Sequence, residues 1–140
     1  MGSDEITRLS RREHALYGEL AALYRGMLDA LMDERAPVDL HRLAADGARA
    51  DAVVGELAPL EAALAPVRRA GGGAAEVVAL WRASAVLAAE AAMMNRELVG
   101  AARARQTRIA GRSAALRNGR RVLTGYRPSG ANVTAIDRRA

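Results

Sequence analysis

The sequence contains no cysteine, no phenylalanine and no lysine, and only one tryptophan among its 140 residues. The absence of cysteine excludes disulfides, thiol nucleophiles and thiolate metal sites. The scarcity of aromatic and β-branched residues argues against a sheet protein, in which such side chains are enriched. Alanine and leucine fill the apolar positions instead, and alanine has the highest helix propensity. The composition therefore predicts one all-α domain.

The chain also lacks a long apolar segment without charges. Its most apolar stretch, residues 77–94, contains Arg82 and Glu90, and a helix that spans a membrane rarely carries such charges. Residues 1–12 are polar and do not match a secretory signal. We therefore expect a cytoplasmic protein without membrane insertion.

Charge is distributed unevenly along the chain. Residues 1–100 hold 11 arginines and 15 acidic residues, a net charge of −4. Residues 101–140 hold 10 arginines and one acidic residue, Asp137, a net charge of +9. A mildly acidic body with a strongly basic C-terminal end indicates an interaction surface at that end.

Apolar residues at spacings of three, four and seven predict helices at about 4–35, 39–69 and 74–123. The predicted stripes are Ile6, Leu9, Leu16, Leu20, Leu23, Met27 and Leu31 in the first helix and Leu40, Leu43, Ala50, Val54, Leu57, Leu60 and Leu64 in the second. Short turns favour an antiparallel three-helix bundle or coiled coil. We expect residues 1–125 to form a single domain and residues 126–140 an irregular tail.

Several polar residues and glycines mark the expected helix ends. Ser3 is a plausible N-cap of the first helix, and Ser10 with Glu13 forms a second possible capping box. Pro37 is expected to end that helix, and Asp39 to cap the second. The three glycines of 71–73 predict a turn, because the signature of a phosphate-binding loop is missing around them.

The third predicted helix is longer than its two neighbours. Its heptad-like register follows Val77, Trp81, Ser84, Ala88, Ala91, Asn95, Leu98, Ala102, Arg105, Ile109, Arg112, Leu116 and Leu123. At about 1.5 Å per residue, this helix stays level with the other two only to about residue 104, so the rest should overhang. The overhang keeps apolar residues that nothing in the chain covers, which points to an external partner, to self-association or to fraying of the helix end.

Residues suited to catalysis or metal binding do not form a pattern. His14 and His41 each stand alone, and neither has a second ligand at metal-site spacing. Ser84 and Ser113 are expected to have no nearby histidine and no nucleophile-elbow context. We therefore expect no enzyme activity, no metal and no cofactor.

The last part of the third segment and the tail resemble the FlgN family of flagellar export chaperones. The residues that carry the resemblance are Asn95 with Leu98, the stretch Leu116-Arg117-Asn118-Gly119-Arg120-Arg121-Val122-Leu123-Thr124-Gly125-Tyr126, and the ending Ile136-Asp137-Arg138-Arg139-Ala140. The resemblance implies three helices and a cytoplasmic chaperone. Such a chaperone binds the C-terminal helical region of hook-filament junction proteins, prevents their premature assembly and delivers them to the flagellar type III export gate.

The resemblance also implies site residues. In the family the long C-terminal helix contacts the client, which corresponds here to Leu98, Ile109, Leu116 and Leu123, with the seam-like Arg105 and Arg112 among them. Related export chaperones dock on the gate through a tyrosine near the end of that helix, and Tyr126 is the one candidate in this chain.

Three alternatives stay open. The first is a helical secretion adaptor with another client. The second is an arginine-rich helical protein that binds nucleic acid, although no aromatic residues interleave the arginines to stack on bases. The third is a homo-oligomeric coiled coil, of which a homodimer is the simplest form.

Overall fold

The computed structural model describes residues 1–125, with side chains described through residue 121, and this part of the chain contains three helices and no strand. Helix α1 spans Ser3–Met32, α2 spans Leu40–Arg69 and α3 spans Ala75–Gly125. The prediction of an all-α fold with a long third helix is therefore confirmed. The predicted irregular tail, residues 126–140, lies outside the described residues. The chain divides into two compact units, unit 1 (Met1–Ala101) and unit 2 (Ala102–Ala140).

Unit 1 is a three-helix bundle whose register is visible in its surface ion pairs. The pairs between α1 and α2 are Arg12–Glu56 and Glu19–Arg49, and those between α1 and α3 are Arg11–Glu76 and Arg25–Glu90. From the start of α1 to its end, the residue numbers of the partners on α2 decrease, whereas those of the partners on α3 increase. Helix α2 is therefore antiparallel to α1, and α3 is parallel to it, as in an up-down-up bundle. Exposed pairs of this kind contribute little stability each, roughly 0.2–1 kcal/mol.

The core of unit 1 is built almost entirely from leucine, alanine, valine and methionine. Its larger cluster comprises Leu16, Leu20, Ala21, Ala50, Val53, Leu57, Ala91 and Met94, and a second cluster comprises Met27, Leu31 and Leu98. All three helices contribute to the larger cluster. Each helix contributes one small alanine to the larger cluster, Ala21, Ala50 and Ala91, and small side chains at a contact allow a short distance between helix axes.

Three predicted core positions were wrong, each near the edge of a stripe. Val53 is buried and Val54 is not, and Leu40 is exposed at the start of α2. On α3 the core takes Met94, whereas Asn95 is exposed. An α-helix has 3.6 residues per turn, so a strict seven-residue register drifts around the helix. Of two neighbouring residues, one then faces the core and the other does not, and in the pair Met94 and Asn95 the apolar residue is the buried one.

Of the three predicted N-terminal caps, one is confirmed. Asp39 caps α2 as predicted, because its carboxylate accepts a hydrogen bond of 3.1 Å from the Arg42 backbone N–H. The N-cap of α1 is Gly2, so Ser3 lies inside the helix and the prediction that it caps α1 was wrong. Ser10 and Glu13 do not form a capping box either, since both are buried in the middle of α1.

Helix α1 ends three residues earlier than predicted. It stops at Met32, and Pro37 is not what stops it. Asp33 leaves the helical conformation, and its carboxylate accepts a hydrogen bond of 2.9 Å from the Arg35 backbone N–H. Aspartate favours such local turns because its short side chain competes with the helix for backbone donors.

A Schellman motif closes α2 at the predicted glycine turn. Gly71 has a φ of +67°, and its N–H donates to the Arg68 carbonyl at 3.1 Å. The Gly72 N–H donates to the Val67 carbonyl at 2.9 Å. These two hydrogen bonds satisfy carbonyls at the end of the helix, and the motif needs a residue in the left-handed conformation. The glycines therefore form a helix terminus and not a phosphate site.

Helix α3 is long and apolar enough to cross a membrane when judged by length and composition over Ala75–Arg121. The buried side chains of its first half, Val77, Ser84, Ala91, Met94 and Leu98, belong to unit 1. The core helix of a bundle passes the same test of length and hydropathy, so the observation does not assign α3 to a membrane.

Two neighbouring valines test the bundle core. Val53→Ala should lower the free energy of unfolding by about 1.5–3 kcal/mol, because it removes two buried methyl groups and leaves a cavity. Val53 is 0% exposed and Val54 is 47% exposed, so Val54→Ala should cost less than about 0.5 kcal/mol. Urea unfolding followed by circular dichroism compares the two. Equal losses would contradict this description of the core.

Candidate functional site

A polar cluster lies inside unit 1, at the end of the bundle where α1 begins. Ser10 and Glu13 are both buried on the inner face of α1. The Arg68 guanidinium of α2 donates a short hydrogen bond to the Glu13 carboxylate and forms an ion pair with it. A buried carboxylate without a partner is costly, so loss of Arg68 would destabilise this end of the bundle.

Trp81 of α3 completes the cluster. Its indole N–H donates to the Ser10 hydroxyl at 2.8 Å, and the Arg68 Cζ lies 5.1 Å from the ring centroid, within cation–π range. Gly73, at a φ of +108°, lies against the same ring, and a Cβ there would come within 2.9 Å of it. Both the conformation and the close approach therefore require glycine at this position.

Ser84 and His14 extend the polar cluster along α1 and α3. The Ser84 hydroxyl oxygen lies 3.3 Å from His14 Nδ1, so the prediction that Ser84 has no nearby histidine was wrong. Ser84 is buried, His14 is half-buried, and the two residues are 70 positions apart in the chain. A buried hydroxyl beside a ring nitrogen satisfies both polar groups of a core contact.

Tyr17 forms the outer edge of the cluster. Its hydroxyl donates a short hydrogen bond to the Glu61 carboxylate of α2. Burial first, and then the Glu61 hydrogen bond, raise the pKa of the Tyr17 phenol above its ordinary value of 10.0. An open cavity of about 300 Å³ lies beside the cluster, lined by Glu13, Tyr17, Arg68, Trp81, Ser84, Ala85 and Ala88.

The polar cluster acts as a connector between helices. It joins α1 to α2 through Glu13–Arg68 and Tyr17–Glu61, and α1 to α3 through Ser10–Trp81 and His14–Ser84. Within residues 1–125 no group of three histidine, aspartate or glutamate residues is placed to hold a metal ion.

The second candidate site is the part of α3 that belongs to unit 2. None of the described side chains between residues 102 and 121 is buried. Ile109 is 57% exposed and Leu116 is 68% exposed. Arg112 is also exposed, and Arg105 is half-buried. Single exposed apolar side chains are ordinary on a protein surface, but two of them on a helical stretch without a buried side chain make this stretch the stronger candidate for binding.

The four residues Arg105, Ile109, Arg112 and Leu116 share one face of α3 because their spacings are four, three and four. We call this surface the α3 seam. An open cavity of about 580 Å³ lies against its C-terminal part, lined by Arg112, Ala115, Leu116, Gly119 and Arg120. Apolar positions therefore alternate with guanidinium groups along the same face.

One of the client-binding residues expected from the resemblance lies apart from the α3 seam, and two further expected residues are not described. Leu98 is buried in unit 1, where it packs with Met27 and Leu31, so it presents no surface to a partner. The side chain of Leu123 and the whole of Tyr126 lie outside the described residues. The structure therefore brings together Arg105, Ile109, Arg112 and Leu116 only.

No family model, no curated protein and no solved structure matches the chain.

The buried pair of Glu13 and Arg68 predicts that Glu13 contributes much more to the free energy of unfolding than Glu76 does. Glu13→Gln should lower the free energy of unfolding by about 2 kcal/mol, because it leaves the half-buried guanidinium of Arg68 without its charge partner, and partial exposure of that group reduces the loss. Glu76→Gln breaks an ion pair whose side chains are 64% and 66% exposed and should cost less than about 1 kcal/mol. Thermal and urea unfolding measure both. A loss at Glu13 no larger than that at Glu76 would mean that the cluster carries little of the stability.

The tyrosine predicts a loss of stability at alkaline pH. Because the folded-state pKa of Tyr17 is raised above 10.0, the unfolded chain releases this proton first. Its contribution is complete below about pH 10 and is lost as the pH rises toward the folded-state pKa. The free energy of unfolding, followed from about pH 8 upward, should fall less steeply for Tyr17→Phe than for the natural chain. Parallel curves for the two would refute this assignment.

Proposed function

We propose that this chain is a cytoplasmic export chaperone of the FlgN type. In this proposal it binds the C-terminal helical region of flagellar hook-filament junction proteins, prevents their premature assembly and brings them to the type III export gate. The observation that carries the proposal is the α3 seam. It is a helical surface with exposed Ile109 and Leu116 in a stretch where no described side chain is buried.

The physical argument concerns what such a surface can cover. A polymerising helical segment exposes an apolar stripe, and a chaperone must hide that stripe without trapping it. A helix with two large apolar residues and polar neighbours offers a modest interface, which suits reversible binding. Helix-on-helix capture uses anchors at the spacings that the α3 seam presents.

The family resemblance gives the proposal its client and destination. Most of the residues that carry the resemblance, 116–126 and 136–140, belong to unit 2. The three helices and the long α3 are compatible with the same family. Docking of Tyr126 on the export gate belongs to the proposal as well.

Nucleic-acid binding is the second candidate. The observation that favours it is the charge of residues 102–125, which contain seven arginines and no acidic residue. Phosphate contacts would make affinity fall steeply with salt, whereas capture of an apolar helix would be far less sensitive. Salt dependence therefore separates the two functions.

Client binding is tested on the full chain by size exclusion with light scattering, alone and mixed with hook-filament junction proteins. We expect a discrete complex that survives about 0.5 M salt, where charges are strongly screened. Ile109→Ala and Leu116→Ala should each weaken binding at least about tenfold, because each removes apolar area from the interface.

Leu40→Ala is the matched control, because Leu40 is equally exposed but lies in unit 1. It should leave the affinity unchanged. If no complex forms and the chain binds duplex DNA at low salt, the chaperone proposal falls and the arginines become the functional residues.

A further inference from the structure

The α3 seam is not a purely apolar surface, and its charges restrict what can cover it. Ile109 and Leu116 are seven residues apart, as are Arg105 and Arg112, and the two pairs alternate along one face. In a coiled coil these are the two positions of each heptad that face the partner helix. A partner that covers Ile109 and Leu116 must therefore meet the guanidinium of Arg112 in the same interface.

A second copy of the same surface is a poor partner. It would bring arginine against arginine, and residues 102–125 contain no acidic residue to separate them. Like charges on facing helices are unfavourable, and coiled coils use such charges to exclude pairings.

A nucleic acid or a lipid surface also fits poorly. A phosphate backbone would pair with the arginines but leave Ile109 and Leu116 in water, and residues 102–125 contain no aromatic side chain on which bases could stack. A helix that lies in a lipid interface presents a broad apolar face with its cations on the opposite side. Here Arg105 and Arg112 lie within the apolar stripe itself.

The remaining partner combines apolar side chains with carboxylates. We propose that the α3 seam binds an acidic amphipathic helix, with aliphatic residues opposite Ile109 and Leu116 and an aspartate or glutamate opposite Arg112, repeated at seven-residue spacing. This inference rests on the proposed chaperone function and names the chemistry of the client segment. Arginine suits this role because its planar guanidinium pairs with a carboxylate through two parallel hydrogen bonds.

Charge complementarity and apolar burial then have separate tasks. Ile109 and Leu116 supply most of the affinity, whereas the pairing of Arg112 with a carboxylate selects the partner and its register. A helix with the same aliphatic residues but basic flanks would be rejected, because it leaves guanidinium groups facing cations.

The test measures fluorescence anisotropy with the full chain and two labelled synthetic helices of about three heptads each. Both peptides carry the same leucine positions, and one has glutamate where the other has lysine. At about 0.15 M salt we expect the glutamate peptide to bind at least about tenfold more tightly. Arg112→Glu should abolish or reverse this preference.

Arg82→Glu provides the control. Arg82 is exposed on the same helix but in unit 1, so the same change of charge there should leave the preference intact. Circular dichroism of both variants checks that the helices are retained.

Several outcomes would overturn the inference. Equal binding of the two peptides would do so while leaving the proposed function in place, provided that the junction proteins still bind and Leu116→Ala still weakens them. Tighter binding to duplex DNA or to vesicles of anionic lipid than to the glutamate peptide would mean that the arginines bind phosphate groups. A dimer of the chain that is lost on Ile109→Ala would assign the α3 seam to a second copy. Absence of binding to both the peptides and the junction proteins would remove the inference and the proposed function together.

Discussion

Glu13 places a carboxylate that is only 1% exposed inside unit 1, and the arrangement of the three helices at that end follows from it. Arg68 must reach across from α2 to neutralise the charge. The guanidinium then covers the ring of Trp81, whose indole N–H is held by Ser10. Each of these contacts is directional, so together they fix both the rotation and the axial position of the helices. Leucine and alanine contacts alone would tolerate sliding more readily.

The two ends of the bundle are held in different ways. Near the start of α1 the interior is polar, and hydrogen bonds and an ion pair connect the helices. Toward the end of α1 the interior is apolar, with Met27 and Leu31 against Leu98. Flexible methionine and leucine side chains fill space without specifying one geometry. The polar end therefore provides much of the specificity, and the apolar end provides burial.

The helical pattern was readable from the sequence, but the polar cluster was not recognised. On α1 the series Tyr17, Leu20, Tyr24, Met27 and Leu31 keeps spacings of three and four. Extended backwards, the same series passes through Glu13 and Ser10, which was the available signal that both face the core. A serine followed three residues later by a glutamate also matches a capping box, so at this position the local motif and the helical register predict different environments.

Other features depend on contacts that periodicity does not contain. Glu13 and Arg68 are 55 residues apart. No local sequence pattern predicts which arginine of α2 pairs with which acidic residue of α1. Leu98 and Ile109 follow one register on α3, yet Leu98 is buried and Ile109 is exposed. Periodicity tells which face of a helix is apolar. How far the neighbouring helices cover that face depends on where they end, as α1 does at Met32.

The continuity of α3 has a consequence for the order in which the chain becomes helical. Starting an isolated helix is unfavourable, because the first turn fixes several residues for a single hydrogen bond, whereas adding a residue to an existing helix is close to neutral. Packing in unit 1 provides that first turn for α3. Residues 102–125 carry glycine at positions 111 and 119 and have no buried side chain among those described, so no tertiary packing offsets the cost of starting a helix there. The part of α3 in unit 1 thus serves as a template from which the rest of the helix elongates, and destabilising unit 1 would favour unwinding of the α3 seam without a change in any residue of that seam.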